Sequence, residues 1–345
     1  MSLPTAETPR TDPALTKKDF TTDQEVRWCP GCGDYAILNA VQNVFPTLGI
    51  PREKFVIVSG IGCASRFPYY MNVYGFHTIH GRAPAIATGV HMANPELSVW
   101  VVSGDGDALS IGGNHLIHAM RRNVDIKVLM FNNRIYGLTK GQASPTSELD
   151  KRTKSTPFGS TDQPLNPLSL ALGANASFVA RSIDVFAPHL KSVLQAAAAH
   201  RGSAFIEIYQ NCNIFNDKAF HSRTERSVRE DQIVQLEHGQ PVVFGSERNR
   251  GIRLNGLEPE VVEFGETPPE DLLVWKTDSL KTTLPFLMAQ LDHDPAFPLP
   301  IGVFRNVEGP TYEDRVHSQV DKEVQRAGSP GMKELLDSGQ TWEVS

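Results

Sequence analysis

Gly104-Asp105-Gly106, followed after twenty-five residues by Asn132-Asn133, marks the carboxyl ends of two strands. Leu97-Ser98-Val99-Trp100-Val101-Val102 precedes the glycines, an apolar run of strand length rich in β-branched residues. After them, Ile111-Gly112-Gly113-Asn114-His115-Leu116-Ile117-His118-Ala119-Met120 carries apolar residues at helical spacing. Ile126-Lys127-Val128-Leu129-Met130-Phe131 is a second strand, and it ends on the asparagines. The pattern predicts a β-α-β unit with polar groups where open parallel sheets bind their ligands.

Those polar groups suit a diphosphate and its cation. Mg²⁺ takes oxygen ligands in near-octahedral geometry, a few of them from protein side chains. Asp105 offers a carboxylate oxygen and Asn133 an amide oxygen. Gly104 and Gly106 let the backbone approach a phosphate with no side chain between. The helix that follows aims its amino end at the same anion. The bland alternative, a glycine turn before an ordinary loop, leaves the asparagine pair unexplained.

Outward from this unit, strands and helices alternate. The apolar spacing predicts a helix over 34–45, a strand over 55–58, and an alanine-rich helix over 85–92. Further on come helices at 167–172 and 186–200 and strands at 178–180 and 204–209. The fold class is therefore α/β, a doubly wound and largely parallel sheet. Loops over 60–84 and 134–167 are long and rich in glycine, and such loops in compact domains are usually functional. Residues 1–19 read as a flexible polar arm, 20–217 as the ligand-binding domain, and 218–345 as a C-terminal extension wrapping the core and a partner. From about His317 the chain is polar and reads as partly disordered.

Composition narrows the function. With 33 Lys and Arg against 39 Asp and Glu, the chain lacks the basic footprint of a nucleic-acid binder. It has no apolar run of membrane-spanning length and no signal-peptide core, so a cytoplasmic location is expected. Of the eleven histidines, most read as exposed or packing residues, His115 and His118 among them. His80 differs, because it lies between glycine-bearing turns beside Arg82.

The four cysteines are Cys29, Cys32, Cys63 and Cys212. Disulfides are not expected without export. Cys29 and Cys32 share one tight turn, a spacing that converges on a metal; Cys63 and Cys212 each follow a predicted strand. All four can gather at the carboxyl edge of one sheet. Structural zinc typically uses two close pairs, whereas one pair and two distant singles also suit a [4Fe–4S] cluster. Spacing alone leaves both open.

Gly-Asp-Gly with Asn-Asn resembles the thiamine diphosphate motif. Four further stretches narrow the match: Trp28-Cys29-Pro30-Gly31-Cys32-Gly33, Gly60-Ile61-Gly62-Cys63, Tyr74-Gly75-Phe76-His77-Thr78-Ile79-His80-Gly81-Arg82-Ala83 and Gly137-Leu138-Thr139-Lys140-Gly141-Gln142-Ala143-Ser144-Pro145-Thr146. Together they resemble the β subunits of 2-oxoacid:ferredoxin oxidoreductases, the 2-oxoglutarate type most, over residues 20 to 320. The resemblance implies thiamine diphosphate, Mg²⁺ and one [4Fe–4S] cluster on the four cysteines, with no cysteine left for a second. It adds the main-chain carbonyl of Ile135 to the Mg²⁺ ligands. It implies Gly106 and Asp107 at the diphosphate, Gly137 and Leu138 over the cofactor from the covering loop, Ile61, Gly62, Cys63 and Ala64 on one side, and His80, Gly81, Arg82 and Ala83 on another.

In the resembling enzymes an α subunit supplies the glutamate that activates the cofactor, and no glutamate here sits in a matching motif. The implied partners are that α subunit, in an αβ or α2β2 assembly, and ferredoxin; coenzyme A takes the acyl group of the 2-oxo acid. Lys140 and Arg66 are the cations placed to pair with the distal carboxylate that separates 2-oxoglutarate from pyruvate. Two other readings compete: a non-oxidative thiamine diphosphate decarboxylase or carboligase, and a non-catalytic scaffold subunit holding zinc.

Overall fold

The apolar runs assemble into one eight-stranded sheet. In this computed structural model, which describes residues 15–329, 331–339 and 342, the strands are β1 (Phe55–Ser59), β2 (Tyr74–His77), β3 (Ser98–Gly104), β4 (Ile126–Asn132), β5 (Phe178–Ile183), β6 (Ala204–Tyr209), β7 (Ile233–Leu236), β8 (Val243–Phe244), β9 (Arg250–Asn255), β10 (Glu258–Glu263) and β11 (Leu299–Asn306). The sheet order is β2-β1-β3-β4-β6-β5-β11-β7. The first six run parallel; β11 is antiparallel to β5 and carries β7 alongside it. A small antiparallel sheet, β10-β9-β8, stands apart.

The central strands are apolar throughout because both faces are covered. Val56, Val58, Val99, Val101, Val128 and Met130 face one core, under the helices Ala83–Ala93, Gly113–Arg122 and Pro167–Gly173. Phe55, Ile57, Trp100, Val102, Leu129 and Phe131 face the other, under Asp34–Val44 and Ala187–Ala199. On this second side Phe45 stacks on Phe55 at 4.3 Å between ring centroids and leans on Trp100 at 5.1 Å.

Four expectations change. The 60–84 loop contains β2, whose residues are all exposed, so no alternation of apolar and polar residues announced it. The helix after Gly-Asp-Gly is broken in two, Asp105–Leu109 and Gly113–Arg122. The C-terminal segment is more than a wrapping: β7 and β11 join the main sheet, and Val234, Leu236 and Phe304 enter its core. The polar stretch from His317 lies within a helix, Tyr312–Ala327. Thr311 starts it, its hydroxyl accepting from the Asp314 amide at 3.3 Å while its own amide donates to the Asp314 carboxylate at 3.2 Å. Buried Glu313 ties its first turn to His91 Nε2 at 3.0 Å. Of the expected arm, residues 1–14 lie outside the described residues, and Lys17–Phe20 is a 3₁₀ turn that buries Phe20.

Two buried histidines make the fold acid-sensitive. Burial pushes His189 down to about 4, and burial with the Lys127 ammonium does the same to His200. The fold holds both rings neutral, while an unfolded histidine titrates near 6.5. Stability is therefore full above pH 6.5 and falls as pH drops from about 6.5 to about 4, by on the order of 3 kcal/mol for His189. Urea midpoints measured across this window should fall, and His189→Gln should flatten the fall.

Candidate active site

Four adjacent strands, β1, β3, β4 and β6, point their carboxyl ends the same way. Each end delivers one part of the site: Cys63 after β1, Asp105 after β3, Asn133 after β4 and Cys212 after β6. Between them opens a cavity of about 170 Å³, lined by Ile61, Gly62, Cys63, Ala64, His80, Asp105, Gly106, Asp107, Asn133, Ile135, Gly137 and Leu138, with Gly104, Phe131, Tyr136 and Thr139. The structure thus gathers most of the residues that the sequence nominated.

Asp105 is 1% exposed. Its Oδ2 accepts hydrogen bonds from Ser144 Oγ at 2.5 Å and Thr146 Oγ1 at 2.6 Å. Burial nevertheless pushes the carboxyl up to about 6, against the pull of those hydroxyls. A divalent cation would return the charge to this group. Asp105, Asn133 and the Ile135 carbonyl are hard oxygen donors of the kind Mg²⁺ takes, so the residues fit the metal.

The same loop is braced from behind. Thr146 Oγ1 also lies 3.0 Å from Asn132 Oδ1, and Asn132 Nδ2 donates to Glu207 Oε1 at 2.7 Å. Arg181 Nε donates to Glu207 Oε2 at 2.7 Å, and its guanidinium stands 3.5 Å from Asp292. Arg134, in the covering loop, reaches Glu148 at 3.0 Å and lies 3.8 Å from Asp292.

Asp107 and Gly106 line the cavity and also have structural tasks. The Asp107 carboxylate is turned inward: Oδ1 accepts from the amides of Ile61 at 3.1 Å and Gly81 at 2.7 Å and faces His80 Nδ1 at 2.5 Å, and Oδ2 accepts from Ser103 Oγ at 2.5 Å. It cannot meet a diphosphate with that side chain; it organises the two loops instead. The contact holds the His80 ring through Nδ1. A Cβ on Gly106 would lie 2.1 Å from the Tyr136 ring, whose hydroxyl donates to the Gly106 carbonyl at 3.1 Å. Glycine is needed there for the tyrosine to pack, rather than for a phosphate alone.

The cysteines gather beside the cavity. Cys63 lines it, and a Cβ on Gly137 would lie 3.5 Å from Cys63 Sγ and 3.7 Å from Cys212 Sγ. The Cys29–Cys32 turn is docked by Gly33 N to Asn211 O at 3.1 Å and by Asn213 Nδ2 to Pro30 O at 2.6 Å. Burial, then Asp34 and the neighbouring thiols, push Cys63 up to about 12 and Cys32 in the same direction. Crowded thiols of this kind need a cationic centre to ionise. A single tetrahedral zinc needs sulfurs about 3.8 Å apart. Among the described residues, the one three-ligand group gathered within 4.8 Å is His91, Asp125 and Glu313, without a cysteine. Four thiols are a donor set of the kind that also holds a [4Fe–4S] cluster.

Five residues nominated for cofactor or substrate do not line the cavity. Gly81 is buried under Asp107, Ala83 is buried in the first turn of its helix, and Arg82 is exposed. Arg66 Nε donates to the Tyr70 hydroxyl at 3.0 Å, with its guanidinium over Tyr69. Lys140 sits exposed in a left-handed conformation, φ 75°, at the tip of the Gly137–Gly141 turn. Sequence reasoning missed Tyr136, Glu207 and Gln210, and it quoted Ser144 and Thr146 without giving them a task.

A cavity at the carboxyl edge of a doubly wound sheet, with the hard oxygens of Asp105 and Asn133 and with four thiols alongside, is that of a thiamine diphosphate-dependent redox enzyme subunit. Residues 60–208 match the family model of the thiamine pyrophosphate enzyme, C-terminal TPP binding domain. Subunit KorB of the 2-oxoglutarate oxidoreductase of Mycobacterium tuberculosis is 51% identical over 97% of this chain and 90% of its own. The β subunit of 2-oxoacid:ferredoxin oxidoreductase 2 from Aeropyrum pernix is 38% identical over 74% and 82%. A solved 2-oxoglutarate:ferredoxin oxidoreductase from Magnetococcus marinus, with 2-oxoglutarate, coenzyme A and succinyl-CoA bound, superposes with a TM-score of 0.75 at 30% identity, covering 98% of this chain and all of that one. The chain belongs to the β subunits of the 2-oxoacid:ferredoxin oxidoreductases.

The hydroxyls on Asp105 give a graded test. Thr146→Val keeps the shape and removes a hydrogen bond to a charged group, worth about 1.5–3 kcal/mol. Calorimetry on the assembled enzyme should then show Mg²⁺-dependent thiamine diphosphate affinity lowered about tenfold or more. Asp105→Ala should abolish it, and unchanged affinity in that variant would move the metal corner elsewhere.

Proposed function

We propose that this chain is the β subunit of a 2-oxoglutarate:ferredoxin oxidoreductase. The reaction is the coenzyme A-dependent oxidative decarboxylation of 2-oxoglutarate to succinyl-CoA and CO₂, reversible in principle. Two electrons leave singly through one [4Fe–4S] cluster on Cys29, Cys32, Cys63 and Cys212 to ferredoxin. The observation that carries this reading is the shared wall: Cys63 belongs both to the cofactor cavity and to the thiol group, with Gly137 between. A non-oxidative decarboxylase has no use for thiols there, and a silent scaffold has no use for Asp105. The relatives named for 2-oxoglutarate support the substrate.

When bound, thiamine diphosphate supplies a nucleophilic carbon for the 2-oxo group and a sink for the electrons released with CO₂. This chain's residues hold and shape. Asp105, Asn133 and the Ile135 carbonyl would hold Mg²⁺. Asp107 orients His80 at the cavity wall. Tyr136 and Leu138 line the cavity from the covering loop, on the side that a partner would close against water. Arg66 and Lys140 are the candidates for the distal carboxylate, and Lys140 would reach it only if its turn folds inward against a partner.

A partner is supported by exposed apolar residues, Ile61 and Leu138 at the cavity, Ile79 beside His80, and Phe158 in the 134–167 loop. We read them, with the 218–345 segment, as the seat of an α subunit in an αβ or α2β2 enzyme working in the cytoplasm.

Anaerobically purified αβ enzyme should be brown, with iron near four per β chain. Cys212→Ala should lose viologen reduction while thiamine diphosphate still binds. Stoichiometric zinc without iron, or full turnover by the β chain alone, would overturn the reading. For the substrate, Arg66→Ala and Lys140→Ala are compared with wild type on 2-oxoglutarate and pyruvate. A rise in KM confined to 2-oxoglutarate supports the cationic pairing, because a buried carboxylate without its cation costs several kcal/mol. Equal losses on both acids, or none, remove these residues from specificity.

A further inference from the structure

Gln210 is the first residue beyond β6 and is 1% exposed. Its backbone amide donates to the Asn132 carbonyl at 2.9 Å, which fixes it beside the metal corner. Its side-chain Nε2 lies 3.1 Å from Cys32 Sγ and 2.7 Å from the Asn211 carbonyl. Both neighbours are acceptors, so the amide has one sensible orientation: turned over, it would aim its oxygen at a sulfur and a carbonyl. In the orientation it takes, Oε1 is buried with no donor. A leucine would fill this space without leaving a polar atom unpaired. A buried amide that is used at its N–H end and orphaned at its oxygen points to a task for the N–H end.

We propose that Gln210 tunes the cluster: its N–H···S hydrogen bond to Cys32 raises the cluster's reduction potential and so favours uptake of electrons from the adjacent cofactor cavity. The inference rests on the reading of the four cysteines as cluster ligands. An N–H dipole aimed at a ligating thiolate stabilises the more negative, reduced cluster more than the oxidised one. The donor comes from a residue whose backbone is bonded to the strand end carrying the Mg²⁺ corner. The centre that yields electrons and the centre that accepts them are therefore held in register by one residue.

The test uses assembled, anaerobically reconstituted αβ enzyme carrying Gln210→Leu or Gln210→Met. Both remove the donor, and Met keeps the length and flexibility of the native chain if Leu impairs cluster loading. Iron and thiamine diphosphate contents should match wild type. Potentiometric titration followed by electron paramagnetic resonance should give a lower midpoint potential in both variants. Electron–nuclear double resonance of the reduced cluster should lose one coupling to a solvent-exchangeable proton. Iron-loaded variants with the wild-type potential and the full set of exchangeable couplings would overturn the tuning role alone. Wild-type enzyme without iron would instead overturn the cluster reading beneath it.

Discussion

Glu207 places a carboxyl group deep inside the sheet, and the organisation of the site depends on how its two oxygens are met. It is 0% exposed, in the middle of β6, with Arg181 opposite it on β5, equally buried. Such a pair gains little over an apolar one, but removing either partner leaves a stranded charge at a cost of about 3–5 kcal/mol. Here the pair gives specificity of position. One Glu207 oxygen takes the Arg181 hydrogen bond, and the other takes the Asn132 amide. That second bond sets which way Asn132 faces, and hence which side of it meets Thr146 and, through Thr146, Asp105. On the far side Arg181 and the Tyr209 hydroxyl hold Asp292, from the C-terminal segment. A line of charge and hydrogen bonds thus crosses three neighbouring strands and ends at the metal corner.

This line explains what could and could not be read in advance. Asp105, Asn133 and Cys63 were legible because each sits a fixed step beyond a strand, and a strand's end is a property of its own sequence. The parallel order then carries them together without further instruction. Glu207 was not legible, because a lone glutamate in Phe205-Ile206-Glu207-Ile208-Tyr209 looks like the solvent face of an edge strand. Its meaning comes only from Arg181 and Asn132, 26 and 75 residues away in the chain. Lys140 was hard to place for the opposite reason. Its distance along the chain from Asn133 was right, but the tight turn at Gly137–Gly141 puts it in a left-handed conformation that sends it outward.

The C-terminal segment was misjudged on the same physical ground. Its short apolar runs cannot form a core alone, which is why they looked like a wrapping. β11 and β7 need no core of their own, because β5 offers them an open edge and the helix Thr283–Gln290 covers the join. Trp275, fully buried, ties two parts of the segment together by donating from Nε1 to the Val303 carbonyl of β11 at 2.9 Å. The polar helix Tyr312–Ala327 follows from its capping box and from Glu313 meeting His91, signals that charge content alone obscures.

The cavity's two walls differ in a way that bears on its work. On one side Asp105, Ser144, Thr146 and Asn132 are mutually bonded and buried, so that wall is fixed before any ligand arrives. On the other, Ile61 and Leu138 line the cavity yet remain 44% and 53% exposed, and Thr139 and Lys140 beyond them carry a turn held by its own backbone. A preorganised wall suits the part of a cofactor that must not move, its diphosphate and metal. An apolar wall still open to water suits the end where substrate enters and where a second chain completes the enclosure. The thiols stand behind the junction of the two, at Gly137, where a side chain larger than hydrogen would come within contact of both Cys63 and Cys212. Gly137 is thus the point of the covering loop at which the cavity and the thiols of Cys63 and Cys212 meet.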